Sequence, residues 1–249
     1  MKGNAMIKRI FLSILCLLPG SLLHSGAIDA HYDSARAKMV KVIEKEVKET
    51  GRQLGKTRLA PSVIAAMKKV PRHVFVPLRY RFFAYDNRPL PIGYGQTISQ
   101  PYIVAVMTDL LAPKPTDRVL EVGTGSGYQA AVLAEIVKEV YTIEVIGALA
   151  ASAQKRLKKE GYDNIRTRTG DGYYGWKEEA PFDAIIVTAA AGNIPPPLLA
   201  QLKPGGRMVI PVKGFYYVQY LLLVTKSADG KVTTRQILPV EFVPMTGEH

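Results

Sequence analysis

The chain reads as an α/β protein: a doubly wound, mostly parallel sheet that finishes in an antiparallel hairpin and carries a helical appendage at its N-terminus. Three observations carry this expectation. From Pro115 onward short apolar segments alternate with helical ones, the first strand-to-helix turn is dense in glycine, and the alternation breaks near the C-terminus. Alternation of this kind belongs to parallel strands covered by helices on both faces.

Taken in order, "DSARAKMVKVIEKEVKET" places Ala35, Met39, Ile43 and Val47 four apart, which predicts a helix, and "PSVIAAMKKV" predicts a second one ending before Pro71. "PRHVFVP" and the aromatic "RYRFFAYDN" follow, their rings expected in the core. Strands are predicted at "RVLEV", "VYTIE", "NIRTRTG", "FDAIIVTAA" and "GRMVIPV", and helices at "YQAAVLAEIV", "ALAASAQKRLKKE" and "PPLLAQL". The runs "YYVQYLLLVTKS" and "KVTTRQILPVEFV" flank "ADG", whose Asp229 and Gly230 suit a hairpin turn. No internal repeat or low-complexity segment interrupts the chain.

With 249 residues, 47% hydrophobic and 22% charged, the composition is that of an ordinary globular protein. The net charge of +12 comes from scattered lysines and arginines. Their densest run, "QKRLKKEGY", fits the polar face and C-terminal end of an amphipathic helix better than a nucleic-acid footprint.

The first residues read as a secretory signal. Lys2, Lys8 and Arg9 precede the apolar run "IFLSILCLLPGSLL", and "SGA" at 25–27 offers a cleavage site. The expected division is therefore a signal segment over 1–27 and one domain over 28–249, with an N-terminal helical appendage at 28–90 and a catalytic core at 91–249. Export to the periplasm is the expectation, with no stable membrane association after cleavage and a cytoplasmic location as the alternative. The only cysteine, Cys16, lies within it, so the mature chain would have neither disulfides nor a catalytic thiol.

Chemistry concentrates in "LEVGTGSGYQAA". Gly123, Gly125 and Gly127 let backbone amides approach a ligand at the crevice beyond the strand's carboxyl end. Glu144 ends the next strand, about 20 residues on, the interval at which an acid accepts hydrogen bonds from ribose hydroxyls. The G-x-G-x-G spacing differs from that of dinucleotide binders and suits a nucleoside ligand. In "GDG", Asp171 could meet an adenine amino group. Upstream, "PIGYGQTISQP" holds hydroxyls and an amide between two prolines but no acid, base or thiol. Ser99 stands just ahead of a predicted helix beginning near Pro101, so a helix cap and a chemical role are both open to it.

The ordered set "VPRHVFVP", "GQTISQP", "VLEVGTGSGYQAAVLA", "GDG", "APFDAIIVTAA", "LKPGGRMVIPV" and "FVPMTG" resembles the protein-L-isoaspartate O-methyltransferase family, over nearly everything after the signal. The resemblance implies a seven-stranded methyltransferase fold of Rossmann-like type, S-adenosyl-L-methionine as donor, and isoaspartyl residues of damaged proteins and peptides as acceptor. It implies that Gly123, Thr124, Gly125, Ser126 and Gly127 line the methionine portion, that Glu144 holds the ribose, and that Asp171 and Gly172 frame the adenine. It places the hydroxyl loop at Gln96, Thr97, Ile98 and Ser99, with Ser99 catalytic and Thr246 closing over the site. "PVKG" and "EVIGALA" depart from the family's usual loops without touching these groups. A monomer that uses no metal is expected.

A carboxylate acceptor needs no general base, because it is ionised near neutral pH. What remains is alignment and exclusion of water, which neutral hydroxyls can provide. A nucleobase methyltransferase would show an aromatic after the prolines of "TAAAGNIPPPLL", and none is there. A metal-dependent enzyme would need clustered carboxylates, for which Asp171 and Asp183 do not suffice. His73, beside "VFVP", is expected to be structural. The alternatives are an exported nucleoside-binding module of methyltransferase fold without repair activity and a methyltransferase with another carboxylate acceptor.

Overall fold

The computed structural model describes residues 20–214 and 218–247. Most of the segment read as a signal, Cys16 included, lies outside them. Helix α1 (Gly20–Glu49) begins inside that segment and runs past the expected cleavage position. Met39, Val40, Ile43 and Val47 are its buried stripe, close to the predicted one. Short α2 (Gly51–Leu54) and α3 (Pro61–Lys69) complete the appendage. No described helix is long and apolar enough to cross a membrane.

Seven strands form the sheet: β3 (Arg118–Val122), β4 (Glu139–Glu144), β5 (Ile165–Thr169), β6 (Phe182–Val187), β7 (Leu202–Lys213), β8 (Gln219–Lys226) and β9 (Val232–Val240). Their order is β5-β4-β3-β6-β7-β8-β9. Pairings among β3 to β7 are parallel, while β8 runs antiparallel to both neighbours. The β8–β9 hairpin turns where expected, with Gly230 at φ +85° and its N–H donating to the Ser227 carbonyl at 2.9 Å. The order reverses beside β3, so the crevice between β3 and β6 is the topological switch point, where ligands bind in open α/β sheets.

Central strands alternate between two cores. Val119, Val140, Ala184, Ile186 and Val209 face the one built with α1, α3, α4 (Pro101–Leu111) and α5 (Tyr128–Ala134), while Leu120, Tyr141, Ile143, Ile185, Val187, Met208 and Ile210 face the other with Leu198 of α7 (Pro196–Gln201). Burial on both faces explains their near-continuous apolar sequences. α6 (Gly147–Lys159) buries Leu149, Ala150, Ala153 and Leu157 and keeps Arg156, Lys158 and Lys159 in its last turn, as the basic run predicted.

Three expectations change in detail: of the rings expected in the core, Phe75 and Tyr85 are buried but Phe82 and Phe83 are exposed. The helix predicted through Val137 ends at Ala134, because the chain tightens there (Ile136 N–H to Leu133 carbonyl, 2.8 Å) and then turns so that the Lys138 N–H reaches the Asp117 carbonyl. The segment read as a loop at Pro91–Pro101 is instead mostly a hairpin, β1 (Leu90–Gly93) with β2 (Gln96–Ile98), turning on Tyr94 and Gly95 at φ +53° and +71°.

Candidate active site

The hairpin delivers Ser99 to the sheet's ligand edge. Gln100, not Ser99, occupies the cap position of α4, and no side chain caps that helix, so the cap reading of Ser99 falls away. Its carbonyl is instead held by the Arg72 guanidinium at 2.7 Å.

The glycine turn after β3 is tied to β4 through the Gly123 and Thr124 N–H groups, both donating to the Ile143 carbonyl at 2.8 and 3.1 Å. Gly123 has φ +97°, and a Cβ there would lie 2.4 Å from the Thr188 hydroxyl oxygen, so only glycine fits. The Glu144 carboxylate accepts from the Gly125 N–H at 2.7 Å and the Ile146 N–H at 3.0 Å. It is thus set in place, with lone pairs left for hydroxyl donors. Gly172 packs so tightly on β3 that a Cβ would meet Val122 Cγ1 at 2.3 Å.

Gln96, Thr97, Gly123, Gly125, Glu144, Gly172 and Thr246 line one cavity of about 60 Å³, closed on one side by Val243–Thr246. Asp171 lies beside it, its carboxylate accepting from the Tyr173 N–H at 2.9 Å and touching Gly247. Other predicted residues point elsewhere. The Thr124 hydroxyl is buried against that of Thr142 at 2.6 Å, the Ser126 hydroxyl accepts from the Tyr128 N–H, Ile98 at the end of β2 is buried in the core, and Gly127 stands at the cap position of α5 with φ +87°. They shape the turn from within.

Ser99 lines a second, larger cleft of about 670 Å³ with Thr97, Gln100, Ile103, Thr188 and Pro239–Val243. Thr97, Thr188 and Val243 belong to both cavities, so the two meet at these side chains. Sequence reasoning missed Thr188, whose hydroxyl donates to the Gly123 carbonyl at 2.7 Å; its place one residue past β6, at the switch point, was the available signal. It expected Thr246 over the site but missed how the C-terminal segment is held there, by the bonds Ala190 N–H to Val243 carbonyl and Met245 N–H to Ala190 carbonyl, both 2.8 Å. A third omission is Glu121, fully buried in β3. One oxygen accepts from the Thr142 hydroxyl at 2.5 Å and the other has no partner; desolvation, opposed by that bond, pushes the carboxyl up to about 8.

These residues fit S-adenosyl-L-methionine in chemistry. There is a backbone turn that a Cβ would fill, a fixed carboxylate for ribose hydroxyls, and Asp171 beside a tightly packed glycine. Val243–Thr246 form one wall of this cavity, opposite the glycine turn and Glu144.

A cavity at the switch point whose residues fit a nucleoside cofactor, adjoining a hydroxyl-lined cleft, marks the Rossmann-like S-adenosylmethionine-dependent methyltransferases as the class. Within it, the chain belongs to the protein-L-isoaspartate(D-aspartate) O-methyltransferase family, whose model matches residues 45–249. A protein-L-isoaspartate O-methyltransferase 2 of Syntrophobacter fumaroxidans is 64% identical over 96% of this chain and 97% of its own. A protein-L-isoaspartate O-methyltransferase 1 of Nitrosospira multiformis is 58% identical over 92% and 96%. Among solved structures, a protein-L-isoaspartate O-methyltransferase superposes with TM-score 0.73 at 28% identity, over 85% of this chain and 66% of that longer one. A Plasmodium falciparum relative in complex with S-adenosyl-L-homocysteine gives TM-score 0.67 at 25% identity, over 82% and 98%.

Proposed function

We propose that the chain moves the methyl group of S-adenosyl-L-methionine to the free carboxylate of L-isoaspartyl residues in damaged proteins and peptides, with Ser99 orienting that carboxylate. The observation that carries this reading is the meeting of the two cavities at Thr97, Thr188 and Val243. When bound, the cofactor supplies an electrophilic methyl group on a positively charged sulfur.

The protein's own residues then have two tasks. Gly123, Gly125, Gly172, Glu144, Asp171, Gln96, Thr97 and Thr246 hold the donor, with Ile98 supporting Thr97 from behind. Ser99 donates a hydrogen bond to the acceptor and aims it, while Ile103, Pro239 and Val243 keep water away. No proton has to be removed, and the acceptor cleft suits that chemistry: among the described residues its lining offers hydroxyls, one amide and the single acid Glu241, with neither histidine nor lysine.

The chain is further proposed to work as a monomer and to be exported by its N-terminal segment, losing stable membrane association once that segment is cleaved. Full-length, uncleaved chain recovered from the cytosol on fractionation would contradict export.

The primary test is transfer of labelled methyl from S-adenosyl-L-methionine to an isoaspartyl peptide and to its normal aspartyl twin. Label on the isoaspartyl peptide alone is expected. Label on neither, with cofactor binding measurable by calorimetry, would leave a nucleoside-binding module and defeat the proposal.

A further inference from the structure

Arg72 lies outside the cofactor residues but directly behind Ser99. It opens the 3₁₀ turn Arg72–Phe75 and is fully buried. Its Nε donates to the Ala84 carbonyl and its Nη2 to the Ser99 carbonyl, each at 2.7 Å, and its guanidinium carbon stands 4.8 Å from the ring centre of Tyr128 at the start of α5. One side chain therefore joins the appendage, the chain leading to the hairpin, the Ser99 loop and the helix that follows the glycine turn.

Two features exceed what a tether requires. Among the described residues no carboxylate forms an ion pair with Arg72, and Nη1 has no hydrogen-bond partner. Burial, opposed by the neighbouring Tyr128 and Tyr85, draws the group down to about 10, which leaves it cationic at neutral pH. A buried cation with no anionic partner is costly even with two carbonyls and the Tyr128 ring beside it, and a neutral amide could donate to a carbonyl without that cost. The acceptor, by contrast, is an anion arriving at Ser99, in a cleft whose lining holds no cation among the described residues.

We infer that Arg72 is a positioning residue for the acceptor, fixing Ser99 through its backbone carbonyl and supplying from behind the loop the positive charge that favours a carboxylate in the cleft. This rests on the isoaspartyl reading above. Charge and fork are separable functions: lysine keeps the charge without the planar fork, and glutamine keeps a donor without the charge.

The test compares wild type, Arg72→Lys and Arg72→Gln, with thermal unfolding and S-adenosyl-L-homocysteine affinity as controls of fold and donor site. Each is assayed for methyl transfer to an isoaspartyl peptide and for inhibition by that peptide's carboxamide analogue, which has the same shape and no charge. For Arg72→Gln a rise of about tenfold in acceptor KM is expected, with cofactor affinity unchanged and the preference for carboxylate over carboxamide lost. For Arg72→Lys the preference should persist while kcat falls. A folded Arg72→Gln with unchanged KM and preference overturns the inference. Should that variant not fold, Arg72→Lys decides: unchanged kcat, or a lost preference, overturns it. Wild type inert toward the isoaspartyl peptide would instead overturn the functional reading, a distinguishable result.

Discussion

Ser99 stands one residue outside the cap position of α4, its carbonyl held by Arg72 and its side chain at the acceptor cleft. Since it caps nothing, Ser99→Ala is expected to lower kcat about 100-fold while leaving the thermal midpoint nearly unchanged. A lowered midpoint with full turnover would restore the helix-cap role. Gly123 is constrained twice, by φ +97° and by the Thr188 hydroxyl 2.4 Å from where a Cβ would sit. Gly123→Ala should cost about 2 kcal/mol in chemical unfolding and weaken cofactor binding in calorimetry. Retention of both would mean that the turn relaxes more freely than its bonds to Ile143 suggest.

At the scale of elements, the β1–β2 hairpin replaces what the sequence presented as a shaped loop. Its two-residue turn demands positive φ at both centres, which Gly95 meets readily and Tyr94, at φ +53° and 65% exposed, meets against its preference. Tyr94→Asn should therefore raise stability by about 0.5 kcal/mol without altering acceptor KM. If KM rises, the Tyr94 ring takes part in acceptor binding. The C-terminal segment is a second element invisible in sequence periodicity: it carries no strand or helix pattern, yet backbone bonds to Ala190 and contact with Asp171 make it one wall of the donor cavity.

For the whole molecule, the buried Glu121 ties stability to pH. Its carboxyl titrates near 8 when folded, against 4.5 ordinarily, so between these values the unfolded chain gives up the proton while the folded chain keeps it. Its contribution to stability thus declines as pH rises from about 4.5 to 8 and levels off above. Glu121→Gln should match wild type near pH 5 and exceed it at pH 8, by on the order of a few kcal/mol at most. Denaturation curves whose difference does not widen with pH would show that the carboxyl ionises freely in the fold.

The sequence by itself determined the α/β class, every strand of the seven-stranded sheet, the glycine turn with Glu144, and the family. These follow from local rules: apolar runs set by burial on both faces, φ values that only glycine tolerates, and a strand-end acid at a fixed interval. Tertiary structure decided what depends on residues far apart in the chain. It turned Thr124 and Ser126 inward, set Thr188 between the two cavities, buried Glu121 beneath the turn, and laid the C-terminal segment against Asp171. It also brought Arg72 to the back of Ser99, 27 positions along the chain. Such pairings have no periodicity to betray them, because they arise where the ends of separate strands and loops converge at the switch point of the sheet.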